Sequence, residues 1–140
     1  MRRAITIGLI AFGVMGVLWV AKGWTFRRTD DKVAKFNTDA ENLIVGIQQY
    51  KEFVGTYPSG SNVSIGKALL GQTDKRVLIL AVRKSDLNDK GEILDPWGTP
   101  LQFYFSHNEV MIRSAGPNRV WQDSAVASAD DLYRCAPVTK

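Results

Sequence analysis

The sequence predicts an α+β protein in which a long N-terminal helix packs on a small antiparallel β-sheet. An uncharged N-terminal run, residues 4–21, precedes a segment, 30–54, whose apolar residues recur at helical spacing. Farther along, two short segments with alternating apolar residues stand between turn-forming sequences, as in a β-hairpin. A helix with one apolar stripe needs a surface against which to bury it, and we expect the hairpin to supply that surface.

The run 4–21 predicts a transmembrane helix. It has no charged residue, and at about 1.5 Å per residue it would be about 27 Å long, which matches a bilayer core. Trp19 and Trp24 stand where an interfacial aromatic belt would form. A cleaved signal peptide is the alternative, although Ala21-Lys22-Gly23 is a poor cleavage site.

The charges around this run leave both membrane orientations open. A count of positive residues would place the C-terminal part in the cytoplasm, but this rule weakens for long translocated domains. In either orientation the chain divides into a transmembrane helix, 1–24, and a globular domain, 25–140. Two arginines precede the run, and the basic residues that follow it are Lys22, Arg27, Arg28, Lys32 and Lys35.

The segment 30–54 predicts an amphipathic helix. Thr29 or Asp30 can cap its start, and Gly55 followed by Pro58 ends it. Its stripe could form a coiled-coil seam, but packing on the sheet of the same chain is the simpler explanation. The stripe consists of Val33, Phe36, Ala40, Leu43, Ile44, Ile47, Tyr50 and Val54.

The middle of the chain predicts short elements. Ser64 can cap a short helix, Ile65–Leu70, which Gly71 stops. The apolar run Val77–Val82 is extended or helical, because periodicity does not distinguish the two for so short a run. Asp86–Gly91 predicts a turn.

The C-terminal region, 95–134, predicts a sheet with a loop. In Asp95-Pro96-Trp97-Gly98, Asp95 can close an Asx-type turn and Gly98 accepts a positive φ. A strand over Leu101–Phe105, a loop at 106–109 and a strand over Val110–Ser114 follow, with Val110, Ile112 and Ser114 on one face. The segment 130–134 can add a last strand.

Signals of enzymatic or nucleic-acid function are absent from the sequence. The single histidine, His107, falls in the predicted hairpin loop, and the single cysteine, Cys135, is interpreted as a small buried or tail residue. The net charge of +4 is mild, and much of it flanks the first helix. We therefore expect no enzyme, no nucleic-acid partner and no small-molecule substrate.

Four segments together resemble the major pseudopilin of bacterial type II secretion and its relatives: Gly55–Pro58, Gly91–Pro100, Ile112–Asn118 and Ala129–Leu132. The resemblance implies a type IV pilin-like fold and a structural subunit that polymerises through its N-terminal helix. It also implies a single-pass protein of the bacterial inner membrane with a periplasmic C-terminal domain. Its partners would be further copies, other pseudopilins and membrane proteins of the secretion apparatus.

The same resemblance implies a calcium (Ca2+) site in the C-terminal loop. Hard oxygens recur there, although a solvated acidic turn would look the same. Asn118 stands where an aspartate is usual, and a neutral ligand weakens calcium binding. The residues implied as ligands are Ile112 through its carbonyl, Ser114, Asn118, and Asp130 or Asp131.

The N-terminus departs from the family pattern. A prepilin signal would have Gly at position 4 and Glu at position 9, where this chain has Ala4 and Leu9. That glutamate normally helps to set the register between subunits. The departure motivates an alternative function: a membrane-anchored periplasmic binding or adaptor module on a pilin fold that does not polymerise.

Overall fold

The structure is a computed structural model that describes residues 2–79, 81–106, 109–122 and 129–137, with side chains described from residue 28 to residue 136 within these ranges. The chain divides into two compact units, Met1–Val33 and Ala34–Lys140. A helix and a three-stranded antiparallel sheet confirm the predicted α+β class. The described elements are α1 (Arg2–Val54), α2 (Asn62–Leu69), a 3-10 helix (Lys84–Asp86), β1 (Gln102–Phe105), β2 (Glu109–Ser114) and β3 (Leu132–Pro137).

Helix α1 ends where the sequence predicts. Gly55 adopts a φ of 88°, and its N–H donates to the carbonyl of Lys51 over 2.7 Å. This left-handed residue after the last helical turn is the expected glycine termination. Thr29 and Asp30 lie inside α1, so the prediction that one of them caps a helix start is wrong. Inside a helix the preceding turn supplies the hydrogen-bond acceptors that a cap would otherwise provide.

The apolar stripe of α1 is largely buried, as predicted. At its centre Ile47 is fully buried. Gly46 lets residue 81 approach closely, because a side chain at position 46 would collide with the Cβ of Ala81. Val45 and Phe53, in contrast, are exposed. The buried members of the stripe are Phe36, Ala40, Leu43, Ile44, Ile47 and Tyr50.

The predicted membrane segment lies outside the residues that the structure describes in full. Where side chains are described, no helical stretch is both long and apolar enough to cross a membrane. The predicted span 4–21 belongs to the first 27 residues, whose side chains are not described.

The middle segment differs from prediction at its start. Helix α2 begins at Asn62 because Ser61, and not Ser64, is the cap: the Ser61 hydroxyl accepts the N–H of Ser64. Gly71, with a φ of 68°, follows the end of the helix as predicted. The described part of Val77–Val82 is not helical, and Leu78 forms a bridge with Leu70.

The sheet has the order β1-β2-β3, with both pairs antiparallel. In the central strand Val110, Ile112 and Ser114 are fully buried, which confirms the predicted inner face. The last strand starts at Leu132 and not at residue 130, because residues 130 and 131 hold the preceding loop by their side chains.

Candidate functional site

The two turn motifs that flank the hairpin meet at a buried hydrogen bond. Asp95 opens the turn before β1, and Ser114 ends β2. The hydroxyl of Ser114 donates to Oδ2 of Asp95 over 2.6 Å, across 19 positions of sequence. Asp95 is 6% exposed and Ser114 is 0% exposed. Hydrogen bonds to a carboxylate in such surroundings are stronger than neutral ones, so this contact joins the motifs firmly.

Asp95 also organises its own turn. Its Oδ1 accepts the N–H groups of Trp97 and Thr99 over 2.9 and 2.8 Å. The N–H of Gly98 donates to the Asp95 carbonyl, and Gly98 has a φ of 88°. The predicted Asx-type turn and the predicted glycine position are therefore confirmed. Both carboxylate oxygens of Asp95 are engaged.

Beyond β2, residues 115–122 form a loop that contacts Asp130. The N–H of Gly116 donates to the Ser114 hydroxyl over 3.1 Å. Gly116 has a φ of 66°, and the Asp130 carbonyl lies so close that no Cβ would fit at this position. The N–H of Asn118 then donates to Oδ2 of Asp130 over 3.1 Å. The loop is thus held at its start by Ser114 and across its width by Asp130.

A second set of contacts holds the far side of the loop, and we call it the Arg113 cluster: Arg113, Trp121, Gln122, Asp131 and Tyr133. Nε of Arg113 donates to Oδ2 of Asp131 over 2.7 Å, and a terminal guanidinium nitrogen donates to the Gln122 carbonyl. The guanidinium carbon lies 5.1 Å from the Trp121 ring centre and 5.4 Å from that of Tyr133. The side chains of Arg113 and Asp131 are 15% and 1% exposed.

The charge of Arg113 is permanent in this setting. Burial alone would lower the pKa of Arg113, but the hydrogen bond and the charge of Asp131 raise that pKa above its ordinary value. The cluster therefore contains a fixed positive charge next to a buried carboxylate.

The predicted calcium ligands on β2 are engaged in other contacts. Ile112 is fully buried in the central strand, where it pairs with Phe103 on one side and Arg134 on the other. The Ser114 hydroxyl donates to Asp95 and accepts from Gly116. Both residues therefore have structural roles in the sheet and its turn.

The predicted ligands in the loop do lie together, but most of their oxygens have partners. Oδ1 of Asn118 accepts the N–H of Val120 over 2.7 Å. Oδ1 of Asp130 and Oδ1 of Asp131 are buried and have no hydrogen-bond partner. Calcium takes about six to eight oxygen ligands, and Arg113 already places a positive charge beside Asp131. The contacts of the described side chains therefore do not fit a calcium ion.

The remaining candidate groups are clusters of metal-ligand side chains, the single cysteine and the single histidine. No group of three or more His, Cys, Asp or Glu residues that could hold a metal occurs in the described part of the chain. Cys135 is exposed on β3, so of the two interpretations, a buried or a tail residue, the buried one is wrong; its neighbours along the strand face inward instead. His107 lies outside the described residues.

The two long-range contacts at this site have no signature in the local sequence. Each turn motif was recognisable locally, but the bond between Asp95 and Ser114 joins residues too far apart for a spacing rule. The same holds for Arg113 and Asp131, which are 18 positions apart. Alternation along β2 does place Arg113 on the face opposite Ser114, and this was the only available signal.

A groove of about 530 Å³ lies between α1 and residues 81–96. Apolar side chains, among them Phe36 and Leu43, line it together with the charged residues Asp39, Arg83 and Asp86. Arg83 pairs with Asp86 over 2.9 Å and lies 3.7 Å from Asp39. The groove combines an apolar surface with a charged edge, which suits a binding surface.

Comparisons with known proteins identify no relative of this chain. No protein-family model matches it, and neither the curated proteins nor the solved structures contain a significant match. Its function is therefore inferred from its own motifs and from the contacts between them.

Proposed function

We propose that this chain is a structural, pseudopilin-like subunit of a type II secretion or related type IV pilus-like assembly. It acts by polymerisation through its N-terminal helix, on a type IV pilin-like fold. Helix α1 and the antiparallel sheet support this proposal, since such a subunit needs a long helix for assembly and a small domain beside it. Its partners are further copies, other pseudopilins and membrane proteins of the apparatus, at a bacterial inner membrane.

The observation that carries this proposal is the buried hydrogen bond between Asp95 and Ser114. These two residues belong to the two motifs on which the resemblance mainly depends. Each motif buries a polar side chain, and an unpaired buried polar group costs about 1–3 kcal/mol. Because each of the two side chains satisfies the other, the two motifs are expected to occur together in one chain.

Processing of the N-terminus tests this proposal. The full-length chain is produced in bacterial membranes with and without a prepilin peptidase, and its intact mass and N-terminal sequence are determined. We expect cleavage after Ala4 and methylation of the new terminus at Ile5, together with cross-linked multimers. Ala4→Gly is the matched variant, because it restores the usual residue and should increase the cleaved fraction. An intact Met1 end in both chains, without multimers, would contradict the proposal.

The alternative function is a membrane-anchored periplasmic binding or adaptor module that does not polymerise. Two observations favour it: Leu9 stands where the register-setting glutamate is usual, and the groove beside α1 offers a binding surface. In this case the protein would stay uncleaved and monomeric. Leu9→Glu discriminates further, because it should increase multimer formation only if the chain can polymerise.

A further inference from the structure

We propose that Arg113 is the resident cation of the C-terminal loop, and that it keeps the loop closed without a divalent metal ion. This inference concerns the stability of the chain, and it holds independently of the proposed function. It follows from the disagreement between the calcium ligands that the family resemblance implies and the contacts that those side chains make.

Arg113 connects residue 122, at the end of the described loop, with Asp131. One guanidinium nitrogen donates to the Gln122 carbonyl and another to Oδ2 of Asp131. The N–H of Gln122 is also directed at Asp131 Oδ2, over 3.4 Å. A bridging calcium ion would make the same connection, since it binds backbone carbonyls and carboxylates together. The guanidinium therefore occupies the position of a bridging cation.

The positive charge of Arg113 already compensates Asp131. Asp130 and Asp131 are adjacent carboxylates, and Asp131 is 1% exposed. Removing a carboxylate from water costs several kcal/mol unless an opposite charge compensates it, and Arg113 provides that charge. A divalent ion bound to Asp131 would lie near the guanidinium, and two positive charges in a partly buried site repel each other.

The surroundings of the guanidinium suit a planar organic cation. Trp121 and Tyr133 lie about equally far from its carbon atom, at 5.1 and 5.4 Å. Aromatic rings at these distances attract a guanidinium, and arginine stacks on such rings better than lysine does. The face of an aromatic ring is not a calcium ligand, because calcium binds oxygen atoms.

The position of Arg113 on the central strand adds to its effect. β2 pairs with both neighbouring strands, and Arg113 lies opposite Gln102 on one side and Tyr133 on the other. Pairing on both sides fixes the backbone of this strand, so that only the side chain of Arg113 has to be ordered when it binds the loop. The loop is consequently closed by a residue that the folded sheet already holds in place.

Calcium and chelator comparisons on the unaltered protein provide the first test. The full-length chain in non-ionic detergent is measured with chelator and with about 5 mM calcium, a concentration above the Kd of weak extracellular calcium sites. Two quantities are followed: the melting temperature, and hydrogen exchange of the peptide that covers residues 115–122. We expect neither to differ between the two conditions by more than the error of measurement.

The second test removes the positive charge of Arg113. For Arg113→Gln we expect the melting temperature to fall by about 10 °C, because a buried carboxylate loses its partner. Exchange in residues 115–122 should become about tenfold faster, because the loop opens locally more often. The melting temperature of Arg113→Lys should lie between those of the unaltered protein and Arg113→Gln, since lysine keeps the charge but loses the second donor and the stacking. Arg83→Gln, the same change at an ion pair whose arginine is 67% exposed, is the matched control and should have little effect.

Two results would overturn the inference. One is a melting temperature or loop protection of the unaltered protein that rises clearly with calcium and falls with chelator. The other is an Arg113→Gln protein whose loop exchanges as slowly as that of the unaltered chain. If Arg113→Gln does not fold, the comparison of calcium with chelator on the unaltered protein decides the matter alone.

Discussion

Two neighbouring residues of β2 hold together two different parts of this molecule, on opposite faces of the sheet. Ser114 points inward and binds the turn that precedes the hairpin through Asp95. Arg113 points outward and binds the loop that follows the hairpin through Asp131. The inner contact is a short hydroxyl–carboxylate bond between residues that are 0% and 6% exposed, whereas the outer one is an ion pair with an arginine that is 15% exposed.

The difference lies in how completely each contact satisfies its polar groups. At the inner contact both oxygens of Asp95 accept hydrogen bonds, and the Ser114 hydroxyl both donates and accepts. At the outer contact Oδ1 of Asp130 and Oδ1 of Asp131 are buried without a partner. A fully satisfied buried network is rigid, and a partly satisfied one opens more easily. We therefore expect the turn to be the more stable region and the loop the less stable one.

Loss of the inner contact should produce the largest effect. Asp95→Ala leaves the Ser114 hydroxyl and the N–H groups of Trp97 and Thr99 without their acceptor. We expect the free energy of unfolding to fall by about 4 kcal/mol, because each unpaired buried donor costs about 1–3 kcal/mol. Chemical denaturation of the full-length chain in detergent, followed by tryptophan fluorescence, measures this change.

The matched control is Asp95→Asn, which keeps one acceptor oxygen for the turn. It should cost clearly less than the alanine variant, about 1–2 kcal/mol, since it weakens one hydrogen bond without removing the side chain. Equal losses in the free energy of unfolding for the two variants would mean that the two carboxylate oxygens of Asp95 do not make separate contributions. That result would contradict the contrast drawn between the inner and outer contacts.

Two glycines with positive φ allow the turn and the loop to be compared directly. Gly116→Ala should lower the free energy of unfolding by about 3 kcal/mol, because a left-handed alanine is strained and its Cβ would collide with the Asp130 carbonyl. Gly98→Ala should cost about 1 kcal/mol, because its φ is also positive but no atom lies within 4 Å of the added Cβ. The same denaturation experiment measures both. Similar losses would show that the loop does not pack against Gly116 as described.

An exposed ion pair gives the smallest expected effect. Arg134 on β3 lies 3.7 Å from Glu41 on α1, with side chains that are 40% and 67% exposed. We expect Glu41→Gln to change the free energy of unfolding by no more than about 0.5 kcal/mol, because water screens such pairs. A loss as large as that of Arg113→Gln would indicate that exposure does not distinguish the two ion pairs.

Most of the local elements could be predicted from short stretches of sequence. Gly55 ends α1, Asp95 and Gly98 form their turn, and the alternation along β2 correctly predicts its inner face. Each of these features depends on interactions within a few residues, which sequence patterns record directly. The cap of α2 lies three residues before the predicted one. Serine is a good capping residue at both 61 and 64, and only the backbone conformation at Ser61 distinguishes them.

The predicted calcium ligands, in contrast, make contacts with residues far away in the sequence. The sequence identifies Ser114, Asp130 and Asp131 as oxygen-bearing residues near one loop, and each of them contacts that loop or residue 122 at its end. It does not reveal that Asp95 takes the hydroxyl of Ser114 or that Arg113 reaches Asp131. Those contacts span 19 and 18 positions, and they depend on the register of the sheet and the path of the loop.

By itself, the sequence determined the α+β class, the amphipathic stripe and end of α1, the turn at Asp95 and the inner face of β2. The tertiary structure alone decided which polar groups meet: the bond of Ser114 to Asp95 and the ion pair of Arg113 with Asp131. The physical reason is the distance along the chain over which each kind of interaction acts. Backbone conformation and burial periodicity are set by near neighbours, whereas the partner of a buried polar group is set by whichever chain segment the fold brings to it.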